Sequence, residues 1–309
     1  ELEGIKNDLK LFGVKFDVYS FETEIRKSGA IEKALKELAS HIYEENGAKL
    51  LKTTDYLDDK DRPIVKSNGD YTYFLPDIAY HYNKLGRGFS KLIDVLGADH
   101  HGYINRMKSA LMMKGYSKDI LDFPLIQVVR LMDNGLEVKM SKRTGNAITL
   151  RELCEEVGVD AVRYFFVARS NTSHLDFDYA LAKSKSNDNP VYYAQYAHAR
   201  LSNVLALAKD IKIDYSGKLL KEKSELALLK SLQELPVVID TVANTKEVHK
   251  LTLYIHDLAT LIHSFYNECR VIDKDNLDVT SCRLGLVKAS QIVLRNALDL
   301  IGVKAPEKM

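Results

Sequence analysis

Residues 92–102 read Leu-Ile-Asp-Val-Leu-Gly-Ala-Asp-His-His-Gly, and this stretch decides the fold of the first half of the chain. The mostly apolar run over 92–96 is typical of a buried parallel strand. It leads through Gly97 into the polar string Asp99-His100-His101-Gly102, and a helical pattern follows as far as Gly115. A strand that runs into a polar loop and then a helix indicates an open α/β sheet, in which ligands bind beyond the carboxyl ends of the strands.

The segments around this unit carry local signals of their own. Residues 14–18 alternate apolar and polar side chains, and residues 71–74 are rich in β-forming types, so both predict strands. Pro76 is well placed to open a helix over 77–85. Asp133-Asn134-Gly135 between two apolar runs predicts a β-hairpin, and Thr149 with Glu152 predicts a capping box at a helix start.

Helical periodicity dominates the second half of the chain, since strand signals end at about residue 177. Long helical patterns cover residues 179–185, 191–210, 224–242, 251–269 and 282–301. Predicted breaks fall at Asn189-Pro190, between two of these patterns, and at Pro236, inside the 224–242 pattern. Antiparallel helices joined by such breaks predict a bundle. We therefore expect two domains, residues 1–178 and residues 179–309.

Composition narrows the class of protein. The 309 residues are 46% hydrophobic and 28% charged, which is typical of a soluble globular protein. The net charge is only +1, so nucleic-acid binding would have to come from local patches. Cys154, Cys269 and Cys282 are widely spaced, which favours a reducing compartment over a disulfide framework or a structural zinc site. No apolar run reaches membrane-spanning length and no signal peptide is evident.

The string Lys139-Met140-Ser141-Lys142-Arg143 predicts a cationic loop that closes on polyphosphate. A lysine ammonium is a compact charge that neutralises phosphate oxygens, and the following Gly145 and Asn146 permit the backbone to swing. The alternative interpretation is a solvated basic turn.

Two further constellations lie in the α/β half. Tyr73 and Asp77 are spaced so that a phenol and a carboxylate can share one side of a pocket, which suits a planar guanidinium. The alternative is a core aromatic residue and an acidic residue favoured near a helix start. Asp99, His100 and His101 can bind a metal or donate hydrogen bonds to a nucleotide. The alternative there is a capped loop with a packed histidine.

Residues 189–200 stand out in the helical half, reading Asn-Pro-Val-Tyr-Tyr-Ala-Gln-Tyr-Ala-His-Ala-Arg. Aromatic side chains, a glutamine and an arginine on one helix can stack on splayed single-stranded bases and hydrogen-bond to them. The alternative is that Tyr192 and Tyr196, one helical turn apart, pack inside the bundle.

Taken in order, these strings resemble the bacterial-type arginyl-tRNA synthetase family, a class I aminoacyl-tRNA synthetase. Residues 69–81 resemble its arginine-pocket segment, and residues 97–102 resemble the next active-site loop. Residues 139–143 are similar to the Lys-Met-Ser-Lys-Ser signature of the family's ATP loop, in a variant that ends in Arg, and we call these residues the ATP loop. Asp160-Ala161-Val162-Arg163 is similar to the Asp-Ala-Leu-Arg motif that names the family's anticodon-binding domain. Residues 189–200 and 305–309 resemble that domain's first long helix and its closing residues.

The resemblance implies a fold and an activity. The fold is an α/β partial Rossmann-like nucleotide-binding domain followed by an all-α helical-bundle anticodon-binding domain. The activity is that of an arginine–tRNA ligase, which uses ATP with Mg²⁺ to form arginyl-adenylate and then transfers arginine to the 3′-terminal ribose of tRNA(Arg). In this family, activation generally requires bound tRNA. A cytoplasmic monomer with no membrane association and no tightly bound metal is expected.

The resemblance also implies roles for particular side chains. Tyr73 and Asp77 hold the guanidinium of arginine, and Asp99, His100 and His101 line the arginine or adenosine pocket. The catalytic pair of the ATP loop, Lys139 and Lys142, stabilises the pyrophosphate side. The residues expected to grip the anticodon loop are Tyr193, Gln195, Tyr196 and Met309.

One departure from the family and three alternatives accompany this interpretation. Class I synthetases carry an early His-X-Gly-His element that binds ATP, and the 309 residues contain no such string. With Glu1 as the first residue, we expect a carboxyl-terminal portion that is inactive alone.

The alternatives are a module that only binds RNA, a DHH-type metal-dependent phosphoesterase because of Asp99-His100-His101, and a cysteinyl enzyme. The phosphoesterase would need more aspartates at strand ends, and the cysteinyl enzyme would need zinc-ligand cysteines.

Overall fold

The computed structural model describes residues 1–138 and 148–309, and these fall into two compact units. We call Phe16–Val128 the α/β unit, and Glu1–Lys15 together with Val129–Met309 the helical unit. The helices are α1 Leu2–Leu11, α2 Glu22–Lys27, α3 Ala30–Glu37, α4 Phe74–Gly86, α5 Tyr103–Met113, α6 Leu150–Val157, α7 Val159–Val167, α8 Tyr179–Lys183, α9 Pro190–Leu207, α10 Lys223–Thr245, α11 His249–Glu268 and α12 Leu277–Leu300. The strands are β1 Ile42–Glu45, β2 Ala48–Leu51, β3 Arg62–Val65, β4 Leu92–Ile93, β5 Leu96–Gly97, β6 Leu121–Asp122, β7 Leu125–Ile126, β8 Val129–Asp133, β9 Leu136–Glu137 and β10 Leu175–Asp178.

Short parallel strands organise the α/β unit around α4. β4 pairs with β6 and β5 pairs with β7, both in parallel, while β1, β2 and β3 form a separate antiparallel sheet. α4 buries a face whose apolar members recur at helical spacing, and it packs against α3 and α5. The core beneath it includes Met107, Leu111 and Leu121. This packing fixes the first turn of α4, where Asp77 lies.

The predicted parallel strand over 92–96 is confirmed in a divided form, while two other predicted strands are wrong. Asp94 and Val95 separate β4 from β5, because the Asp94 side chain is drawn to α4. In residues 71–74, only Tyr71 makes an isolated bridge, and helix α4 already begins at Phe74. Burial of Phe74 and Leu75 against the core outweighs their β propensity. Residues 14–18 form no strand.

The helical unit begins with two predicted local structures that are confirmed. β8 and β9 form the hairpin, with Asn134 and Gly135 both at positive φ in its turn. Thr149 and Glu152 form the capping box, with Thr149 Oγ1 accepting from Glu152 N at 3.2 Å and Glu152 Oε2 accepting from Thr149 N at 2.9 Å. The ATP loop between these features lies outside the described residues.

Helices α9 to α12 form the predicted bundle. Its core includes Leu201, Ile255, Leu258 and Leu284. The predicted break at Pro236 is wrong, because α10 continues through this proline. Packing of the flanking turns, which bury Leu228 and Leu235, compensates for the missing backbone hydrogen bond. None of the described helices combines the length and hydropathy of a membrane span.

The two compact units divide the chain differently from the domains expected from the sequence. Strand β10 pairs in parallel with β8, and this ties residues 175–178 to residues 129–133. The segment after Val128 therefore belongs with the bundle in terms of packing. The functional boundary at residue 178 stays a prediction.

Candidate functional site

Tyr73 and Asp77 meet through a third residue, Tyr103, at the start of α4. The Tyr103 hydroxyl donates to Asp77 Oδ2 at 2.5 Å, and the rings of Tyr73 and Tyr103 stack with centroids 6.4 Å apart. Arg106 on the same helix as Tyr103 donates from Nη1 to the Tyr73 hydroxyl at 2.8 Å. The structure thus brings the two predicted residues to one place, with α5 supporting both.

Among the described residues, the side-chain hydrogen bond to Asp77 comes from a neutral phenol. Burial and the Asp77 carboxylate both raise the pKa of Tyr103 well above its ordinary value, so the phenol is a neutral donor at pH 7. Among the described residues, Asp77 Oδ1 accepts no side-chain hydrogen bond. Tyr73 is 64% exposed, so its ring is open to a ligand. A carboxylate oxygen beside an exposed aromatic ring suits a planar cation.

A second carboxylate, Asp94, is fully compensated by α4. His81 Nε2 lies 2.6 Å from Asp94 Oδ2, and Lys84 Nζ donates to Asp94 Oδ1 at 2.8 Å. His81 Nδ1 donates to the Asp77 backbone carbonyl at 2.7 Å, so this cluster also anchors the turn that carries Asp77. Burial alone would raise the pKa of Asp94, but the hydrogen bond from His81 and the charges of His81 and Lys84 outweigh it and lower the pKa to about 2.

Sequence reasoning missed Tyr103, Arg106, His81 and Asp94. Two signals were available for the last pair. His81 follows Asp77 by one helical turn, and Asp94 places a charge inside an apolar strand pattern. No local signal pairs Tyr103 with Asp77 or Arg106 with Tyr73, since these partners are 26 and 33 residues apart.

Asp99, His100 and His101 lie at the carboxyl end of β5, as the sequence predicts. All three are exposed, and His100 Nε2 lies 3.7 Å from Asp99 Oδ2. Gly97 lies directly before them, and a Cβ atom there would make the exposed Asp99 side chain move, since it would lie 2.6 Å from Asp99 Oδ1. In the part of the chain that the structure describes, no hydrogen bond joins these three to Tyr73 or Asp77, and no cluster of three or more His, Cys, Asp or Glu side chains could hold a metal ion.

The predicted anticodon residues lie on α9 and at the C-terminus of the helical unit. Tyr192 and Tyr196 stack nearly parallel with centroids 6.1 Å apart, and both are half-buried. Tyr193 packs against His263 of α11 with a centroid distance of 4.5 Å. The Arg200 guanidinium lies 4.8 Å from the Tyr196 ring centroid.

His263 connects these aromatic side chains to Arg200. Its Nδ1 accepts from Arg200 Nη1 at 3.1 Å, and its Nε2 lies 3.4 Å from the Tyr193 backbone carbonyl, which accepts. Burial lowers the pKa of His263, and the charge of Arg200 lowers it further, so the ring is neutral at pH 7. The neutral ring keeps Arg200 over Tyr196.

We call the part of α9 that carries Tyr192, Tyr196 and Arg200 the α9 surface. Two cavities flank it, and Met309 lines both of them. One of about 530 Å³ is lined by Tyr192, Gln195 and Met309 among others. The second, of about 480 Å³, is lined by Tyr196, Arg200 and Met309 among others. The Gln195 amide nitrogen is used within the protein, donating at 2.9 Å to both Asp160 Oδ2 and the Lys304 carbonyl.

Comparison with protein families identifies the class of this fold. The family model described as "tRNA synthetases class I (R), catalytic domain" matches residues 5–204, and "DALR anticodon binding domain" matches residues 194–309. These matches place the chain in class I of the aminoacyl-tRNA synthetases. Within that class, it belongs to the arginyl-tRNA synthetase family.

Relatives and solved structures agree with this assignment. The chain is 54% identical to an arginine–tRNA ligase of Geobacillus thermodenitrificans, covering 100% of this chain and 57% of the relative. It is 52% identical to that of Listeria welshimeri, covering 99% and 56%. The chain thus spans little more than half the length of these relatives. A Campylobacter jejuni structure assigned as an arginyl-tRNA synthetase shares 34% identity with a TM-score of 0.90, covering 100% of this chain and 68% of the other. Thermus thermophilus arginyl-tRNA synthetase shares the fold at 22% identity with a TM-score of 0.85, covering 98% and 62%.

The predicted fold class is therefore confirmed, as a class I catalytic domain followed by a helical anticodon-binding domain. The phosphoesterase and cysteinyl alternatives are wrong. The roles of individual residues stay predictions.

We predict that Asp94→Asn lowers the free energy of unfolding by about 2 kcal/mol at pH 7, since the pKa of Asp94 falls from an ordinary 3.8 to about 2. A lowered carboxylate pKa stabilises the fold above pH 3.8 and loses that effect as pH falls through about 2. The difference between the variant and the unaltered chain should therefore shrink to roughly half at pH 3.

Urea unfolding at both pH values measures this difference. The control is Asp122→Asn, which removes a carboxylate from an exposed pair with Lys91 and should change stability little. Equal losses for the two variants, or a difference independent of pH, would contradict the assignment.

Proposed function

We propose that this chain provides the arginine pocket, the ATP loop and the anticodon-binding domain of an arginine–tRNA ligase. In the reaction, the carboxylate of arginine attacks the α-phosphate of ATP, the bond to the β-phosphate breaks, and pyrophosphate leaves. The 3′-terminal ribose hydroxyl of tRNA(Arg) then attacks the arginyl carbonyl and releases AMP. The observation that carries the proposal is the Asp77 carboxylate, held by neutral Tyr103 beside the exposed ring of Tyr73.

Recognition of arginine follows from the chemistry of this pocket. The hydrogen bond from Tyr103 to Asp77 comes from a phenol, which places no positive charge beside the carboxylate. The guanidinium of arginine donates in a planar fork to a carboxylate, whereas the ammonium of lysine is a point charge and the urea group of citrulline is neutral. Tyr73 supplies a ring face and a hydroxyl for the same group. Asp99, His100 and His101, at the carboxyl end of β5, are proposed to contact the arginine backbone or the adenosine.

Adenylate formation needs cations where negative charge develops. We assign this role to Lys139 and Lys142 of the ATP loop on their sequence alone. Met140, Ser141 and Arg143 complete the loop. Mg²⁺ enters as its complex with ATP and neutralises the polyphosphate.

Recognition of tRNA is assigned to the α9 surface. Tyr196 and Arg200 line one cavity, Tyr192 and Gln195 line the other, and Met309 lines both. Ring faces and a guanidinium beside cavities of this size suit unstacked bases of a loop. Tyr193 supports the surface from the His263 side.

We predict that L-arginine raises the melting temperature of this chain, while lysine and citrulline do not. Asp77→Asn should weaken arginine binding about 10- to 100-fold, since it removes a charged acceptor. Tyr103→Phe keeps the ring and removes the hydroxyl that orients Asp77, so its effect should be smaller.

Thermal-shift titration and calorimetry measure these affinities. Glu22→Gln on the surface of α2, an exposed carboxylate in the same unit, is the control and should bind arginine like the unaltered chain. Equal stabilisation by arginine and citrulline would contradict the pocket assignment.

We predict that the 309-residue chain alone does not catalyse ATP–pyrophosphate exchange, even with arginine and tRNA, because it lacks a His-X-Gly-His string. Radioactive exchange measures this activity. The background is set by a variant in which Lys139 and Lys142 are both replaced by alanine. Exchange above that background would show that other residues supply the missing function.

We predict salt-sensitive binding of a hairpin made from the anticodon stem and loop of tRNA(Arg), because phosphate contacts release counterions. Tyr196→Leu should weaken this binding by about 1–3 kcal/mol, the usual contribution of a base stacked on an aromatic ring. Fluorescence anisotropy at several salt concentrations measures both effects. The control Tyr215→Ser changes a tyrosine that is 69% exposed on the same unit. Equal affinity for a hairpin with a scrambled loop would contradict anticodon recognition.

A further inference from the structure

We propose that the motif Asp160-Ala161-Val162-Arg163 is a clasp that positions the C-terminal strap, residues 301–309, and thereby places Met309 beside both cavities. The inference rests on the proposed function, because it assigns those cavities to anticodon nucleotides. It gives the motif a physical role that neither catalysis nor base contact requires of it.

The strap follows α12 and is gripped along its backbone. Side chains of α7 and α9 make four hydrogen bonds to backbone groups of the strap. From α7, Arg163 Nε donates to Ile301 O at 2.8 Å, and Asp160 Oδ1 accepts from Lys304 N at 3.3 Å. From α9, Gln195 Nε2 donates to Lys304 O at 2.9 Å, and His198 Nδ1 donates to Pro306 O at 2.8 Å. Because every partner is a backbone group, the clasp fixes the path of the strap rather than its side chains.

The spacing of the motif explains its residues. Asp160 and Arg163 are three positions apart on α7 and so share a face, which is the face toward the strap. Ala161 and Val162 point into the core and are buried. Asp160 uses both carboxylate oxygens. While Oδ1 accepts from Lys304 N, Oδ2 accepts from Gln195 Nε2 and so orients that amide toward the Lys304 carbonyl.

Two features show that the clasp is built for close contact. A Cβ atom on Gly302 would lie 2.6 Å from Arg163 Cζ, and Gly302 has a φ of +68°, so only glycine suits both the contact and the backbone. Among the described residues, the His198 Nε2 atom is buried without a partner, while its Nδ1 is directed to the strap. Moving the strap away would leave the second ring nitrogen of buried His198 without a partner as well, which disfavours other positions of the strap.

The consequence for RNA binding lies at the end of the strap. Met309 is 54% exposed and lines both cavities, while Lys304 lines the first and Glu307 and Lys308 line the second. The walls of both cavities therefore depend on where the strap lies. Arg163 lines neither cavity and acts on RNA through the strap, so it is a positioning residue. Asp160 holds the strap and also lines the first cavity, so a double-mutant cycle with Met309 is needed to separate positioning from direct contact.

A double-mutant cycle on this chain tests the clasp. Asp160→Ala and Met309→Ala should each weaken binding of the anticodon hairpin by about tenfold. The double variant should be little weaker than the weaker single variant, because releasing the strap already displaces Met309. Asp160→Asn keeps an oxygen for the Lys304 N–H and should retain most of the affinity.

The control separates positioning from stability. Arg283→Gln removes the ion pair with Glu225, whose atoms lie 2.6 Å apart, so it should lower the melting temperature and leave hairpin affinity unchanged. A methyl NMR signal from labelled Met309 reports the order of the strap directly, and it should sharpen in Asp160→Ala and not in Arg283→Gln.

The outcomes distinguish the two levels of inference. Unchanged affinity in Asp160→Ala, losses that multiply in the double variant, or an unchanged Met309 signal would overturn the clasp while leaving anticodon binding intact. A failure of the unaltered chain to prefer the anticodon hairpin would overturn the proposed function, and with it the RNA-binding role of the strap. If Asp160→Ala does not fold, the clasp is tested with Asp160→Asn and with the Met309 signal. An Asp160→Asn variant that loses as much affinity as Met309→Ala would contradict the clasp.

Discussion

The hydrogen bond from Tyr103 to Asp77 is the interaction on which the candidate arginine site depends. A half-buried carboxylate needs a hydrogen-bond donor, and the charge of that donor affects which ligands the carboxylate can bind. Here the donor is a phenol whose raised pKa keeps it neutral. The phenol therefore orients the carboxylate without placing a positive charge beside it.

Asp94 shows the opposite solution within the same unit. Its two oxygens are occupied by His81 and Lys84, and its pKa is lowered to about 2. Such a compensated group serves the fold, because a ligand would have to displace a cation already in contact. The two carboxylates are nevertheless linked, since His81 also bonds the Asp77 carbonyl. The charge cluster around Asp94 thus holds the turn that carries Asp77.

The sequence predicted those parts of the fold that local chemistry determines. The Asn134-Gly135 turn, the Thr149 capping box and the helical spacing of the bundle each depend on residues a few positions apart. Residues 71–74 show where this fails, because tertiary burial of Phe74 overrides β propensity. Tyr103 and Arg106 were missed for the same physical reason, since their partners are brought near only by the packing of α4 against α5.

The resemblance supplied residue names, whereas the structure supplies relations between them. Asp160 belongs to the motif over 160–163 and Gln195 to the string over 189–200. Neither string predicts that Gln195 Nε2 donates a hydrogen bond to Asp160 Oδ2, 35 residues earlier. This contact also bears on where the anticodon-binding part begins. The two family matches overlap at residues 194–204, within α9, and α9 is held by α7 through Asp160. A boundary at residue 178 would separate Asp160 and Arg163 from the strap they grip. Helix α7, helix α9 and the strap are therefore parts of one packed structure.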